Sequence, residues 1–361
     1  MATGRINGVR LAGVASAVPA LSCSIDCAAD TFGAEEVRKI SQSTGVERRH
    51  VSPGKLCTSD LCCAAARRLL NDLNWDPNSV DALVFVSQTF DFPSIPATSC
   101  VLQMRLGLSK DCAAFDIALG CSGHVYGLWT VASLMAASGL SRVLLLAGDV
   151  VSRACSPLDR STALLFGDAG SATALQADSS APPITFSLGT DGSGWENLVI
   201  PAGGFRRPRN ETTGIRQKAE GNNTRSAEDL FMDGAEIFDF TLQEVSPLVN
   251  KVLTAAEWNR DDVDYFVFHQ ANKFMLTFLA KNMKLPLAKV PFSIQDYGNT
   301  SSASIPVTIN SILREAVSTR SLRLLLAGFG VGYSWAGCGL MCGPMVAPEI
   351  ILVEESEAWR C

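Results

Sequence analysis

AAFDIALGCSGHVYGLWTVASLMAASGLSRVLLLAGDV, residues 113–150, is the stretch from which the fold can be read. It spells a buried strand, an abrupt turn at Gly120-Cys121-Ser122-Gly123, an apolar helix stopped at Gly139, and a second buried strand. Cys121 therefore stands at a helix start, where unpaired N–H groups and a partial positive charge favour thiolate over thiol and can cradle an oxyanion. A buried cysteine is more often a small hydrophobe. Here Gly120, Ser122 and Gly123 are small enough to keep the thiol approachable, so the stretch reads as the seat of a nucleophile.

Working outward toward the N-terminus, Val9 to Val18 predicts a strand, and Phe32 to Ser43 a helix leading into the turn Thr44-Gly45. Ser59 caps a helix carrying Leu61, Ala65, Leu69 and Leu73 at four-residue spacing. VDALVFVSQT, residues 80–89, is an almost wholly apolar strand of the kind buried on both faces. A proline-punctuated segment, Asp91 to Pro96, then feeds a helix over Thr98 to Leu106.

Toward the C-terminus the plan repeats. VDYFVFHQAN at Val263 echoes VDALVFVSQT at Val80, and LLLAG at Leu324 echoes LLLAG at Leu144, with offsets of 263−80=183 and 324−144=180. The same shift carries Cys121 onto Ser301, at the start of a matching helix over Ser301 to Val317. The chain thus reads as α/β, with two duplicated halves, residues 1–178 and 179–361, packed about a pseudo-twofold axis. Alternating strands and helices imply mostly parallel sheets covered by helices. The change of half falls in SSAPPIT, Ser179 to Thr185, which breaks both periodicities. One segment has no counterpart. Gly203 to Asp229 is polar and turn-rich, with six Arg or Lys against four Asp or Glu, in a chain whose net charge is −6. It reads as a solvated loop, or as a lid or docking loop for an anionic partner.

Composition excludes several classes. A net negative chain lacks the clustered basic surface that nucleic acid requires. No run of about 18 uncharged apolar residues suggests a membrane span, and the leading MATGRINGVRLAG lacks a signal-peptide core, so a cytoplasmic location is expected. The twelve cysteines are then reduced thiols. None is spaced like a zinc pair: Cys62 and Cys63 are adjacent, Cys23 and Cys27 have no histidine nearby, and Cys338 and Cys342 stand in a glycine-rich strand region. No metal is expected.

A cysteine nucleophile needs a base or an orienting group, and the chain offers three histidines. His50, in ERRHV, is expected to be exposed. His124 follows Cys121 by three residues on the same helix, where it lines a pocket mouth or fills space. His269 ends an apolar strand, and strand C-termini in α/β sheets are where ligands bind. Asn299, in YGNTSSAS, would alone be an ordinary helix cap. The doubling gives it weight, because a pseudo-twofold brings the two equivalent helix starts face to face. Cys121, His269 and Asn299 are therefore expected in one pocket.

DIALGCSGHVYGL, FVFHQANKFM, YGNTSSASIP and AGFGVGYSWAG, in this order and spacing, resemble the thiolase-fold condensing enzymes, and in particular the β-ketoacyl-acyl-carrier-protein synthase III family. STGVERRHV and VVSRACSPLDRSTALLFGDAGSA extend the resemblance over residues 5 to 340. It implies that Cys121 is acylated, while His269 and Asn299 receive a malonyl thioester, whose decarboxylation leaves an enolate that condenses with the acyl group. The oxyanion is expected on the backbone N–H groups of Cys121 and of the GFGVGYS turn, where Val331 replaces a usual glycine. Coenzyme A or phosphopantetheine thioesters are the implied substrates, with no tightly bound cofactor. Implied partners are an acyl donor on coenzyme A or carrier protein, malonyl-carrier protein, and a second copy of the chain in a homodimer.

The likeness also marks departures. Lys39 and Ser43 stand where relatives hold coenzyme A with an aromatic residue and an arginine, whereas Arg153 is retained. Arg153, Asn272 and Lys273 are the implied contacts to coenzyme A or phosphopantetheine; after Asn272 a basic residue is expected for carrier-protein docking, and here Lys273 then Phe274 occur. Ile95 stands where an aromatic residue often closes the acyl pocket, which leaves room for a longer or branched chain. A second reading on the same fold is an acyltransferase that forms an ester or amide. Asn299 disfavours it, since a carboxylate there would better activate an alcohol, whereas an amide can donate to an enolate.

Overall fold

The computed structural model describes residues 2–359. The outer bounds of the expected halves, residues 1, 360 and 361, lie outside this range. The first half supplies β1 (Ala2–Ile6), β2 (Val9–Pro19), α1 (Ala34–Thr44), α2 (Thr58–Asp72), β3 (Ala82–Val86), α3 (Thr98–Arg105), β4 (Ala113–Ile117), α4 (Gly123–Ser138), β5 (Arg142–Asp149) and β6 (Ala169–Ala177). The second supplies β7 (Ile184–Thr190), α5 (Gly234–Ala256), β8 (Tyr265–Phe268), α6 (Lys273–Asn282), α7 (Ser304–Ile312), α8 (Arg314–Thr319), β9 (Leu322–Gly330), β10 (Ser334–Cys342) and β11 (Ile351–Val353).

Alternation within the apolar strands builds the layers. On β5, Val143, Leu145 and Ala147 pack into a central core with Leu322, Leu324 and Leu326 of β9, and with Val125, Leu128, Val131, Ile305 and Ile309 of α4 and α7. Leu144 and Leu146 point the other way, onto Leu61, Leu69 and Leu102 of α2 and α3. On the far side, Leu325, Ala327 and Phe329 meet Leu248, Val252, Leu276 and Leu279 of α5 and α6. Five layers result, helix, sheet, helix, sheet, helix, and each sheet is buried on both faces. α4 buries one face in this central layer, with Leu128, Val131 and Met135 on it, while Trp129 stays 37% exposed on the other. Gly127 lets α4 lie directly on β5, since a Cβ there would come within 2.6 Å of the Leu145 side chain.

The first sheet runs β11-β2-β6-β5-β3-β4 and the second β1-β7-β10-β9-β8. The expectation of mostly parallel sheets is corrected. β3, β4 and β5 are parallel to one another, as are β8 with β9 and β11 with β2, but β2 with β6, β6 with β5, β1 with β7, β7 with β10 and β10 with β9 are antiparallel. The duplication is visible in the register: Leu83 pairs with Leu144 and Tyr265 with Leu324, giving 265−83=182 and 324−144=180. The chain ends cross between halves. β1 joins the second sheet through β7, and β11 joins the first through β2.

Several local expectations shift. The α2 cap is Cys57, with its N–H on Asp60 Oδ2 at 2.8 Å, and Ser59 lies inside the helix. Gly33, at φ +86°, breaks the expected 32–43 helix, so that α1 begins at Ala34. The expected 301–317 helix is a 3-10 turn, Ser301–Ala303, followed by α7 and α8 separated at Leu313. Residues 203–229 are folded. Gln217–Lys218 pairs with Thr224–Arg225, and at the neck Leu198–Val199 pairs with Phe231–Met232. Among the described residues the eleven cysteines are free, and no helix is long and apolar enough to cross a membrane.

Candidate active site

Cys121 immediately precedes Ser122, the N-cap residue of α4. The turn is pinned across the halves by the Ser122 and Ser334 hydroxyls, 2.7 Å apart. Close approach of the β9 end requires glycine, because a Cβ on Gly330 would lie 2.7 Å from Cys121 Cβ and 2.9 Å from its Sγ. The expectation of a favoured thiolate is corrected. Burial pushes the thiol up to about 11, with the Asp149 carboxylate adding to the rise. Hydrogen bonds from the Val331 backbone, the Ser301 side chain and Cys121's own backbone offset only part of it. Removing a thiolate from water costs more than one helix end returns.

His269 follows β8 directly, and its N–H continues the ladder to Ala327 O at 2.8 Å. Its Nδ1 lies 2.7 Å from Ser304 Oγ, and Phe329 stands edge-on to the ring, with centroids 5.7 Å apart. Burial drives its pKa down to about 3, against an upward pull from the Ser301 backbone. The ring is neutral at physiological pH. Asn299 is fixed by its main chain, with N–H to Leu165 O at 2.9 Å and C=O accepting from Gly167 N at 3.1 Å. Its Oδ1 accepts the Ser301 N–H at 3.0 Å.

Cys121 lines two cavities. One, of about 60 Å³, brings it together with His269 and Asn299, as the doubling predicts. The other, of about 330 Å³, is walled by Leu198, Val199 and Ile200 with Phe166 and Leu230, and it reaches Gln88, Ser301 and Val331. The neck of the 203–229 insertion therefore forms one wall of the cavity in front of the thiol. The GFGVGYS turn is in place, with Val331 beside Gly120.

Other expected residues lie elsewhere. His124 is buried with Nε2 3.1 Å from Thr173 Oγ1, lines neither cavity at Cys121, and is held near pKa 3 by burial. It stands on the buried face of α4, where its Nδ1 has no hydrogen-bond partner among the described residues. Ile95 also lines neither cavity. It is 83% exposed at the end of the proline-rich loop. His50 is half-buried rather than exposed, with Nδ1 2.6 Å from Pro19 O and its ring stacked on Tyr297.

The groups expected to hold a thioester carrier are divided. Arg153 borders the neighbouring clefts, but its guanidinium already donates to Gly54 O and Leu56 O, both at 2.7 Å. Asn272 caps α6 through Oδ1 to Met275 N at 2.7 Å and lines the smaller cavity. Lys273 is exposed beside it, its stem over Gly45. Lys39 pairs with Glu35 at 2.8 Å, and Ser43 turns back to Ile40 O. Phe274 stacks on Phe238 instead of offering a charge.

Asp149, Gln88, Ser302 and Ser304 escaped the sequence reading. Asp149 carried a usable signal: a carboxylate ending the apolar run Val143 to Gly148 must find donors or be expelled.

Comparison with known proteins identifies the family. Residues 115–192 match the family described as 3-oxoacyl-[acyl-carrier-protein] synthase III, and residues 253–341 match its C-terminal region. A β-ketoacyl-[acyl-carrier-protein] synthase III of Rhodopirellula baltica is 34% identical over 352 residues, covering 92% of this chain and 98% of the relative. A 3-oxoacyl-(acyl-carrier protein) synthase of Burkholderia xenovorans superposes with a TM-score of 0.92 at 43% identity, covering 98% of this chain and 99% of that one. The synthase III of Pseudomonas aeruginosa superposes at 0.80 with 32% identity, over 94% and 99%. The layered, doubled α/β fold is thus shared with these relatives along nearly the whole chain, and this chain is a condensing enzyme of the thiolase-fold β-ketoacyl-acyl-carrier-protein synthase III family.

Proposed function

We propose that Cys121, His269 and Asn299 carry out a two-stage decarboxylative condensation. In the first stage Cys121 Sγ attacks an acyl thioester, the new S–C bond replaces the donor's, and the thiol proton leaves with the donor's sulfur. In the second a malonyl thioester loses carbon dioxide, its enolate carbon bonds to the acyl carbon, and the Cys121 thiolate departs and is reprotonated from solvent.

The pairing of His269 and Asn299 supports this reading best. Ser301 N–H fixes Asn299 Oδ1, so the amide N–H₂ is left to donate. We assign the 2.7 Å contact between Ser304 Oγ and His269 Nδ1 as donation by the hydroxyl, which puts the ring proton on Nε2. Two neutral donors can then meet the enolate oxygen, and neither can act as a strong acid that would quench the carbanion. The backbone N–H groups of Cys121 and Val331 are the donors we assign to the tetrahedral oxyanion. The acyl donor is a coenzyme A or carrier-protein thioester, the extender is malonyl-carrier protein, and no resident cofactor is needed.

We further place the enzyme in the cytoplasm as a homodimer. β4 is the terminal strand of its sheet, and the apolar Met104 and Ile95 stand exposed near it. A second copy would remove that open edge.

The experiment is intact-protein mass spectrometry with a panel of acyl thioesters, followed by addition of malonyl-carrier protein. Added acyl mass at Cys121 and its disappearance with release of carbon dioxide are expected. Acyl transfer to an alcohol or amine without decarboxylation would replace this reading with the ester- or amide-forming transferase.

A further inference from the structure

Asp149 ends β5 between the two halves and is fully buried. Its Oδ1 accepts from Ser87 Oγ at 3.0 Å, Gln88 N at 2.7 Å and Thr89 Oγ1 at 3.1 Å, all in the segment after β3. Its Oδ2 accepts from Ser302 N at 3.2 Å and Ser302 Oγ at 2.7 Å, in the turn that follows Asn299. One carboxylate thus ties the loop bearing Gln88, on the cysteine side of the cavity, to the turn bearing Asn299 and Ser301. The β5/β9 offset of 180 places Phe329 as its counterpart, since 149+180=329. Phe329 touches His269. At equivalent strand ends, then, one half reaches across with a charge and the other supports the histidine with a ring.

A buried carboxylate with five donors is an expensive choice where any polar pair could link two loops. Relative to a neutral linker it adds charge-assisted bonds, which are shorter and stiffer. We propose that Asp149 is a positioning residue for condensation, holding the Asn299–Ser302 turn in register with the Cys121 side of the cavity. It touches neither substrate nor reacting sulfur in this role. Its charge also reaches the nucleophile: around Cys121, His269 and His124 stay neutral, and the Asp149 carboxylate raises the thiol. Burial is the larger cause of that rise, and the Asp149 charge adds to it.

The proposal rests on the condensation reading, and its test separates the two. Asp149→Asn and Ser302→Ala are made in the full chain, with circular dichroism to check folding. Asp149→Asn turns an amide N–H₂ toward donors. Ser302→Ala removes one donor and leaves the charge. In both, release of carbon dioxide from malonyl-carrier protein is expected to fall roughly 10- to 100-fold, as misplacement of a catalytic group does, and to fall further than acyl loading from acyl-coenzyme A. Iodoacetamide labelling of Cys121 across a pH series gives a readout that a merely structural role would not move. The midpoint is expected to drop by roughly one unit in Asp149→Asn, where a nearby negative charge is lost, and to stay in place in Ser302→Ala. Wild-type decarboxylation in either variant, or an unmoved midpoint in Asp149→Asn, overturns the proposal. If Asp149→Asn does not fold, Ser302→Ala decides alone by its decarboxylation rate. A wild-type enzyme that loads acyl groups and never decarboxylates defeats the condensation reading, and the labelling midpoint then decides the part played by Asp149.

Discussion

Asn299 Oδ1 accepts the backbone N–H of Ser301 at 3.0 Å, two residues on in the same turn. That bond settles which end of the amide is free, and it does so inside the 3-10 turn whose first residue hydrogen-bonds to the Cys121 thiol. One short turn therefore serves both stages of the reaction. Asn299→Ala is expected to accept an acyl group on Cys121 but to lose decarboxylation by about 10²–10³, the effect of one missing oxyanion donor. Asn299→Asp keeps the bond to Ser301 and turns a carboxylate oxygen on the enolate, so it should be as poor. Radiometric release of carbon dioxide from malonyl-carrier protein checks both.

Cys121→Ala should abolish acyl loading, while Cys112→Ala loads and condenses near the wild-type rate. Both thiols are pushed up to about 11 by burial, so acidity cannot tell them apart. Position does: Cys112 packs in the outer core under α3. Equal losses by intact mass would remove Cys121 from its role.

Gly330→Ala is expected to push the nucleophile aside, because the new Cβ would fall within 2.9 Å of both Cys121 Cβ and Sγ. Overpacking of this kind costs about 1–3 kcal/mol. The melting temperature should fall modestly and acyl loading severely. Loading at the wild-type rate would show that the β9 end can yield.

His124 and His269 both sit near pKa 3 in the fold against 6.5 in the open chain. Between those values the unfolded state binds protons that the folded state refuses. Stability should therefore decline as pH falls from 6.5 toward 3 and be flat in this respect above 6.5. Each ring contributes about 1.4 kcal/mol per pH unit in that window, softened by Asp168, whose carboxyl burial raises. Thermal melts of His124→Gln across the window should show a shallower decline. An identical slope would mean that His124 does not titrate on unfolding.

Light scattering at micromolar concentration should give twice the chain mass. A monomer would leave β4 and Ile95 open to water and contradict the pairing proposed for them.

Much of the site was legible because it is carried by doubled, strongly periodic strands. Once Leu144 and Leu324 are matched, Cys121, His269 and Asn299 must converge. What could not be read depends on direction rather than pattern. Ile95 belongs to a loop whose exit angle is set by packing, and His124 occupies a helix whose composition is apolar all round, so that the sequence marks no face of it as the buried one. The antiparallel pairings escaped because a strand buried on both faces looks the same in either orientation. The acidity of Cys121 was misjudged because a helix start can be seen in sequence and the depth of burial cannot.

The crossing of the chain ends has a consequence for how the molecule holds together. β1 lies in the second sheet and β11 in the first, so a cut between residues 178 and 179 would yield two fragments, each missing a strand held by the other. Neither could complete its own sheet alone, whereas mixing the two could restore both. The halves descend from one pattern, yet they are laced at both ends like a shoe, and unfolding one should unravel the other in the same cooperative event.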